Sequence, residues 1–312
     1  MNDLHVVFGT GPLGLAVMRE LRRRGRRVRM INRSSRVKFA KDAQTEVGGA
    51  NAADPAQARE VCEGAATVYH CVGLPYPAWP EFPAIASGIV EGTAAAGAKL
   101  VYGDNLYMYG PVEGAMTEEL PYTATTKKGR IRAAVARSLL DAHQAGKLRV
   151  TIGRGSDFFG PFATYAAIMG RRVFARALSG KSAQVVGDPD RLHTYTFIED
   201  FGKALVTLGE RDEALGKAWH VPSPPALTTR QFVEAVYQLL GKRPRMSRLP
   251  NLAIAFAGLF DGNAKELKEM LYQFERDFVM DSSRFEKAFG VQATALDKAI
   301  GATLNWYRRP GS

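Results

Sequence analysis

Residues 4–14 read LHVVFGTGPLG, and this stretch decides the fold. A short valine-rich run ends at Phe8 and is followed at once by three glycines in the spacing G-x-G-x-x-G. An amphipathic stretch then covers residues 15 to about 24, and a second apolar run covers residues 28–31. The pattern predicts strand, glycine turn, helix and strand, which is a βαβ unit of about 30 residues.

The glycine turn predicts a dinucleotide site. Gly9 permits a tight turn out of the strand, Gly11 lets the backbone approach a pyrophosphate, and Gly14 lets the helix pack closely on the sheet. We expect phosphate at the helix N-terminus, where backbone N–H groups and the helix dipole favour anions. The predicted cofactor-binding turn consists of Gly9, Thr10, Gly11, Pro12, Leu13 and Gly14.

The end of the second strand indicates which dinucleotide binds. Residues 30–36 read MINRSSR, without the carboxylate that usually contacts the ribose of NAD at this place. Asn32, Arg33 and Ser34 instead offer polar groups, including a guanidinium and a hydroxyl, to a 2′-phosphate. The sequence therefore favours NADP over NAD as the cofactor.

Strands and helices continue to alternate after this unit. Further β-like runs cover residues 67–72, 99–102 and 148–152, and helical stretches cover about 55–63, 80–96 and 127–145. This alternation predicts an α/β fold, a Rossmann-type doubly wound parallel sheet with helices on both faces. We expect this dinucleotide-binding domain to span residues 1–160.

The pattern becomes less regular after residue 160. We expect a helical piece up to about residue 178, short runs near 184–187 and 193–197, and helices near 199–209 and 228–240. Residues 161–312 are predicted to form mainly a smaller C-terminal substrate lobe. Since no low-complexity linker separates the two parts, a segment of about 193–221 is expected to return to the sheet.

Composition and charge exclude several classes of protein. The 312 residues are 46% hydrophobic and 23% charged, as in ordinary globular proteins. The net charge of +11 comes almost entirely from residues 19–41, which hold eleven Lys or Arg and one Glu. We interpret this segment as a solvated basic surface and expect no nucleic-acid partner.

The chain shows no sign of a membrane, a secretory signal or a metal. No run of about 20 apolar residues occurs, and the first residues lack a basic stretch followed by an apolar one. Cys62 and Cys71 are too few for a disulfide scaffold and lack partners at metal-ligand spacing. We expect a cytoplasmic protein without a metal site.

Five further segments carry a resemblance to a known family. They are GANAAD at 49–54, HCVG at 70–73, VYGDNLYMYG at 101–110, RGSDFFGP at 154–161 and HTYTFIED at 193–200. With the glycine turn, they resemble the extended and atypical short-chain dehydrogenase/reductases, the NAD-dependent epimerase/dehydratase type. The resemblance implies cofactor contacts from Asn51, Ala52, Cys71, Val72 and Gly73.

The resemblance also implies where the catalytic residues lie. The family uses a Ser or Thr after the fifth strand and a Tyr-x-x-x-Lys pair, in which the lysine lowers the pKa of the tyrosine. The Ser/Thr position falls on Asn105, and the lysine aligns with Lys127, with Lys128 as an alternative match. Four residues before Lys127 stands Thr123.

Two phenols are candidates to replace the missing tyrosine. Tyr122 lies one residue early, and Tyr107 follows the active-site strand. Lys127 is expected to bind the nicotinamide ribose in either case. The predicted catalytic set is therefore Lys127, Tyr122, Asn105, Thr123 and Tyr107.

Candidate substrate residues lie in three segments. The proline-rich segment 74–80 is expected to form a stiff wall of the cleft. Further candidates lie beyond residue 150, in segments that the family resemblance places near the substrate lobe. The predicted substrate residues are Tyr76, Asp157, Phe158, Tyr165 and His193.

Two classes of function remain, an enzyme and a cofactor-binding protein without turnover. We favour an NADP(H)-dependent oxidoreductase that reduces a carbonyl or activated alkene of a small molecule. One alternative is a sugar-nucleotide epimerase/dehydratase, for which Arg171, Arg172 and Arg191 are candidate diphosphate ligands. The other is a non-catalytic NADP(H)-binding redox sensor, which Thr123 at the tyrosine position favours. We expect a monomer or a homodimer, and the identity of the substrate depends on pocket shape.

Overall fold

A parallel sheet of seven strands organises the chain in a computed structural model, which describes residues 4–37, 44–164, 167–250, 262, 266 and 268–309. In chain order, the strands are β1 Leu4–Phe8, β2 Arg27–Asn32, β3 Thr45–Gly49, β4 Ala65–His70, β5 Lys99–Asp104, β6 Ala115–Met116, β7 Arg149–Arg154, β8 Asp157–Phe159, β9 Ala183–Val185, β10 Leu192–His193, β11 Tyr195–Phe197, β12 Ala218–His220, β13 Leu227–Thr228, β14 Met246–Arg248 and β15 Val279–Met280. The sheet order is β12-β7-β5-β4-β1-β2-β3.

Helices connect and cover these strands. In chain order they are α1 Pro12–Arg23, α2 Pro55–Cys62, α3 Phe82–Ala95, α4 Lys127–Gln144, α5 Phe174–Leu178, α6 Ile198–Glu210, α7 Thr229–Leu239, α8 Tyr272–Glu275, α9 Ser283–Phe289 and α10 Leu296–Tyr307. Short 3-10 turns lie at Tyr76–Glu81, Tyr107–Tyr109, Asp212–Ala214 and Lys268–Met270.

The strand order reverses direction at β1. The chain proceeds from β1 through β2 to β3 on one side, and it continues through β4, β5, β7 and β12 on the other side. The paired strands of this sheet are parallel throughout. The predicted doubly wound fold is therefore confirmed, and ligands of such sheets bind at the carboxyl ends of the strands beside the reversal.

Both faces of the sheet are covered, which explains the continuous apolar runs in its strands. On β1, Val6 and Phe8 pack into one cluster with residues of α2, α3 and α4. Val7 points to the other face, where residues of α1 and α6 complete a second cluster. Burying both faces of a strand stabilises the sheet, since each fully buried Val or Phe contributes about 1.5–3 kcal/mol.

A third cluster forms the core of the second lobe. Phe174 of α5 lies edge-on to Phe232 of α7 and stacks on Tyr307 of α10, with ring centroids 6.1 Å and 5.7 Å apart. Short strand pairs surround this cluster: β8 with β11, β9 with β14, and β10 with β13. Between the lobes, β6 pairs with β15, and β12 extends the central sheet beside β7.

Two segments differ from the sequence-based expectation. Strand β3 was not predicted, because its sequence TEVGG has one large apolar residue; it forms by pairing with β2 at the sheet edge. The helix expected up to residue 178 covers only Phe174–Leu178. Upstream, Gly160 has φ +134° and Phe162 has φ +65°, values that turn the chain away from a helical path.

Two buried histidines make the folded chain sensitive to acid. Burial, together with the charge of Arg132, lowers the pKa of His70 to about 3. Burial and the charge of Arg154 lower the pKa of His220 to about 3. As pH falls below about 6.5, the unfolded chain binds these protons first, so that stability decreases between about pH 6.5 and 3.

We predict that His70→Asn reduces this acid sensitivity. The asparagine oxygen can accept the Val72 N–H hydrogen bond that Nδ1 of His70 accepts at 3.3 Å. Between pH 5.5 and 4.5, the free energy of unfolding should decrease less steeply with falling pH in the variant than in the wild type. The two slopes should differ by about 1.4 kcal/mol per pH unit. Urea unfolding at several pH values measures this slope. An unchanged slope would show that His70 is not neutral in the folded chain.

Candidate functional site

The glycine turn between β1 and α1 leaves space for a phosphate group. A Cβ on Gly9, whose φ is +105°, would lie 2.5 Å from the Cys71 carbonyl oxygen, and a Cβ on Gly14 would lie 1.9 Å from the Gly9 oxygen. A Cβ on Gly11 would instead meet no atom within 4 Å. Gly11 is the N-cap of α1 and brings no capping side chain. The turn thus presents a helix N-terminus to an open space, as pyrophosphate binding requires.

Asn32 holds the corner after β2 against this turn. Its Nδ2 donates to Thr10 Oγ1 at 3.1 Å and to the Arg36 carbonyl at 2.9 Å, and its Oδ1 accepts from Ser34 N–H at 2.9 Å. The side chains of Arg33 and Ser34 are exposed. No carboxylate pairs with Arg33 in the ranges that the structure describes. The corner is therefore cationic and accessible.

Two other predicted cofactor segments lie at the carboxyl ends of β3 and β4. After β3, Asn51 Oδ1 accepts from Ala53 N–H at 3.2 Å, so that its side chain supports the turn beside Ala52. After β4, Cys71 is buried and donates its N–H to the Phe8 carbonyl at 2.8 Å. Val72 is half-buried and Gly73 is exposed. The segment after β4 also meets the glycine turn, because the Cys71 carbonyl faces Gly9.

The two lysines at the start of α4 have different surroundings. Lys127 is exposed, whereas the Lys128 side chain is only 1% exposed. Lys128 Nζ lies 4.9 Å from the centre of the Tyr76 ring and contacts Glu266 at 2.6 Å and Glu269 at 3.4 Å. The structure thus brings Lys128, and not Lys127, against the loop that follows β4.

The three candidates nearest the family's catalytic positions already have partners. Thr123 is exposed and donates its hydroxyl to the Tyr109 carbonyl at 2.7 Å. The Tyr122 hydroxyl accepts a hydrogen bond from Arg154. Asn105 Oδ1 accepts from Tyr107 N–H at 3.1 Å. Thr123 and Tyr122 therefore stabilise the loop before α4.

Arg154 is the centre of a buried polar network that the sequence did not reveal. Its side chain is 0% exposed, donates to Tyr109 Oη at 2.6 Å and lies 3.7 Å from Asp104. Tyr109 Oη is also 2.8 Å from Nε2 of His220. Burial raises the pKa of Asp104, and the charges of Arg132 and Arg154 oppose that increase. Removing Asp104 would leave the buried charges of Arg132 and Arg154 without their carboxylate.

Phenols gather where the loops after β4 and β5 meet. Tyr76 Oη and Tyr107 Oη are 3.1 Å apart, and the Tyr107 ring stacks on Trp79 at 5.7 Å. Tyr272 of α8 interacts with them. Burial is the main cause of its raised pKa, and the charges of Glu269 and Tyr76 add to the increase. Burial raises the pKa of Tyr76 to about 12 and raises the pKa of Tyr107 well above its usual value. These hydroxyls therefore remain protonated at neutral pH.

Asp157 and His193 form a pair beside these phenols. Asp157 Oδ2 lies 3.0 Å from His193 Nε2, and His193 Nδ1 lies 3.2 Å from the Gln273 carbonyl. Asp157 follows β7, and His193 is on β10. Phe158 packs against the α1/α6 side of the sheet. The sequence pointed to Asp157 and His193, but it gave no signal for Gln273, which comes from a distant segment. Tyr165 lies outside the described residues.

The candidate diphosphate ligands are spread over the second lobe. Arg171 is half-buried, Arg172 is exposed, and Arg191 Nε lies 3.4 Å from Asp188 Oδ2. The ion pair of Arg191 is therefore largely solvated. None of the three is among the residues that contact Asp157 or His193 in the ranges described.

Much of the basic segment is paired with acidic side chains of the same chain. Arg24 contacts both Glu20 and Glu210, Arg19 contacts Glu199 at 2.5 Å, and Arg29 contacts Glu46 at 2.9 Å. Lys38 and Lys41 lie outside the described residues. The arginines of α1 and β2 thus mainly join α1 to α6 and β2 to β3.

The described residues contain neither a helix that could span a membrane nor a cluster of metal ligands. Within the ranges given above, no helix is both long and apolar enough to cross a membrane. The same residues contain no group of three His, Cys, Asp or Glu side chains that could hold a metal ion.

Comparison with known proteins identifies relatives of this fold. The NAD dependent epimerase/dehydratase family matches residues 6–221. A curated relative, the dTDP-glucose 4,6-dehydratase of Xanthomonas campestris pv. campestris, is 24% identical over 197 residues, which are 62% of this chain and 52% of the relative. The match thus spans about half the length of this curated relative.

Solved structures share the fold over nearly the whole chain. The dTDP-glucose 4,6-dehydratase from Bacillus anthracis, in complex with NAD, has a TM-score of 0.81 at 14% identity and covers 99% of this chain and 97% of its own. MoeE5 in complex with UDP-glucose and NAD has a TM-score of 0.77 at 20% identity, with 99% and 100% covered. A nucleoside-diphosphate-sugar epimerase from Pseudomonas aeruginosa has a TM-score of 0.75 at 20% identity, with 100% and 99% covered.

The family match covers the glycine turn, the central strands and the strands that carry Asp157 and His193. It confirms the resemblance inferred from the sequence, the expectation of an enzyme, and an NAD(P)-type cofactor. The choice of NADP over NAD stays a prediction. The chain belongs to the NAD-dependent epimerase/dehydratase family.

Proposed function

We propose that this protein is an NADP(H)-dependent enzyme that acts on a nucleoside-diphosphate sugar, by epimerisation or dehydration through oxidation of a sugar hydroxyl. The observation that carries the proposal is the family match to residues 6–221, which extends beyond the dinucleotide half into the second lobe. The relatives add support, because they are a dTDP-glucose dehydratase, a protein bound to UDP-glucose, and a sugar-nucleotide epimerase. This proposal takes the place of carbonyl reduction, which we favoured from the sequence alone.

The cofactor would lie along the crevice at the carboxyl ends of β1 and β4. The open space at Gly11 and the N-terminus of α1 fit a pyrophosphate, and Asn51 and Ala52 would flank the adenine. Cys71, Val72 and Gly73 would form the wall beside the rest of the dinucleotide. When bound, NADP accepts or returns the hydride of the sugar carbon.

We assign the 2′-phosphate to the corner after β2. Arg33 and Ser34 are exposed there, and residues 31–37 contain no acid that would repel the phosphate. A guanidinium binds phosphate through paired, charge-assisted hydrogen bonds. Three of the solved relatives were crystallised with NAD, so that this corner would set the present chain apart from them.

The substrate would lie over the ends of β4, β5 and β7. Asn105 could polarise the reacting oxygen, since among the described residues its amide nitrogen has no partner. The protonated phenols of Tyr76 and Tyr107 can donate hydrogen bonds to the sugar. Of the two lysines, Lys127 is the better candidate for contacts near the nicotinamide ribose, because it is exposed, whereas Lys128 is buried and paired with Glu266 and Glu269. Thr123 and Tyr122 would have structural roles.

We predict that Arg33→Ala weakens NADPH binding about 10- to 100-fold and leaves NADH binding nearly unchanged. Loss of a hydrogen bond to a charged group costs about 1.5–3 kcal/mol. NADH lacks the 2′-phosphate, so its binding does not depend on this bond. Fluorescence titration of the bound nicotinamide measures both affinities. Arg59→Ala is the matched control, because Arg59 is an exposed arginine that pairs with Glu91. Equal losses for the two cofactors would contradict the assignment.

The activity itself is tested with UDP- and dTDP-sugars in the presence of NADP or NAD. We expect NMR spectroscopy of the products to show an epimer or loss of water from at least one nucleotide sugar, with no net consumption of cofactor. A parallel series contains NADPH with simple ketones, aldehydes and activated alkenes. Turnover confined to that series would make the protein a reductase. Cofactor binding without conversion in either series would instead indicate a redox sensor.

A further inference from the structure

Three loops bring polar side chains together over neighbouring strand ends. Tyr76 follows β4, Tyr107 follows β5, and Asp157 follows β7, and these strands are adjacent in the sheet. Burial is the main cause of the raised pKa values of Tyr76 and Tyr107, and the negative charge of Asp157 also raises them. Tyr272 is affected in the same way. The Asp157 carboxyl group therefore interacts electrostatically with all three phenols.

Few groups in this cluster are able to accept a proton. Phenols with raised pKa values stay protonated at neutral pH and therefore do not act as bases. Glu266 and Glu269 are ion-paired with Lys128. The remaining acceptors are Asp157 and His193, and a carboxyl group or an imidazole commonly performs general acid–base catalysis.

The surroundings of His193 hold Asp157 in one orientation. His193 is buried, and its ring stacks on Tyr195, Phe274 and Phe278, with centroids 4.6, 5.1 and 5.2 Å away. Its Nδ1 faces the Gln273 carbonyl, which can only accept, so Nδ1 carries a proton. Its Nε2 faces Asp157 Oδ2, and a hydrogen bond there requires one further proton, on either atom.

The other carboxyl oxygen of Asp157 is available. The Asp157 side chain is 17% exposed, and its Oδ1 has no hydrogen-bond partner among the residues that the structure describes. The carboxyl group thus contacts His193 through Oδ2 and keeps Oδ1 available to a substrate.

We infer that Asp157 exchanges a proton with the reacting hydroxyl of the substrate, in place of the tyrosine that this chain lacks, and that His193 positions it. In the oxidative direction, the substrate O–H bond breaks and its proton moves to Asp157. The electron pair of the adjacent C–H bond moves as hydride to the oxidised nicotinamide cofactor, and a carbonyl forms. In the reverse direction, the hydride returns to the carbonyl carbon and the proton returns from Asp157 to the oxygen. This inference rests on the proposed function for the identity of the substrate.

The first test compares Asp157→Asn with the wild type. The amide has nearly the same shape but cannot take up the proton, so that kcat should fall about 100-fold or more. KM for the sugar nucleotide and Kd for NADPH should change less than threefold, whereas a residue that only binds substrate would change KM. Asp190→Asn is the matched control, because Asp190 is an exposed aspartate of the same lobe that pairs with Arg230. A kcat within twofold of the wild type in Asp157→Asn would overturn the inference.

A second test needs neither cofactor nor substrate. In protein with 15N-labelled histidine, the Nε2 resonance of His193 reports whether that nitrogen shares a proton with Asp157. In Asp157→Asn we expect the resonance to move towards the shift of an unprotonated ring nitrogen, with the Nδ1 resonance retained. An identical Nε2 shift in both proteins would overturn the coupling of the pair, and therefore the inference.

The two tests separate this inference from the proposed function. If the wild type converts no nucleotide sugar, the proposed function fails, and the NMR comparison still decides whether Asp157 and His193 share a proton. If the wild type is active and Asp157→Asn retains its kcat, the proposed function stands and the inference fails. Thermal melting of Asp157→Asn within a few degrees of the wild type shows that a lower kcat does not reflect unfolding.

Discussion

Backbone atoms at the crevice between β1 and β4 approach so closely that only glycine fits at two positions, and the site depends on this contact. Gly9 lies against the Cys71 carbonyl, and Gly14 lies against the Gly9 carbonyl. These contacts bring the first turn of α1 directly over the end of β1, at the point where the strand order reverses. The space above Gly11 stays open as a result. One steric constraint thus sets the start of the helix, the packing of α1 on the sheet, and the place where an anion can meet unpaired backbone N–H groups.

A second constraint is electrostatic and concerns the ends of β5 and β7. Asp104, Arg132 and Arg154 are buried together, and charges in such surroundings are tolerated only when they are paired and hydrogen-bonded. The Tyr109 and Tyr122 hydroxyls accept hydrogen bonds from Arg154, and His220 joins the network through Tyr109. Tyr122 therefore belongs to the structural support of the active-site loop. We therefore assign the proposed proton transfer to a group outside this network, namely Asp157.

The same cluster shows how the second lobe contributes to a site on the first. His193 is held by aromatic rings from β11, α8 and the segment before β15, and Gln273 supplies a backbone acceptor from α8. Lys128 of α4 meets Glu266 and Glu269 from the same part of the chain. Residues of the C-terminal part of the chain thus contact groups that lie beyond the ends of the central strands.

The sequence by itself determined the βαβ unit, the glycine turn, the alternation of strands and helices, and the absence of an acid after β2, because these features are written in local spacing and residue type. It also indicated Asp157 and His193 as site residues. Only the tertiary structure decided which of two adjacent lysines is buried, since neighbouring side chains on a helix differ by about 100° in direction. It also revealed the role of Arg154, the strand β3, and the contribution of Tyr272 and Gln273. These depend on contacts between segments far apart in the chain, and periodicity along a sequence carries no information about which distant segments will pack together.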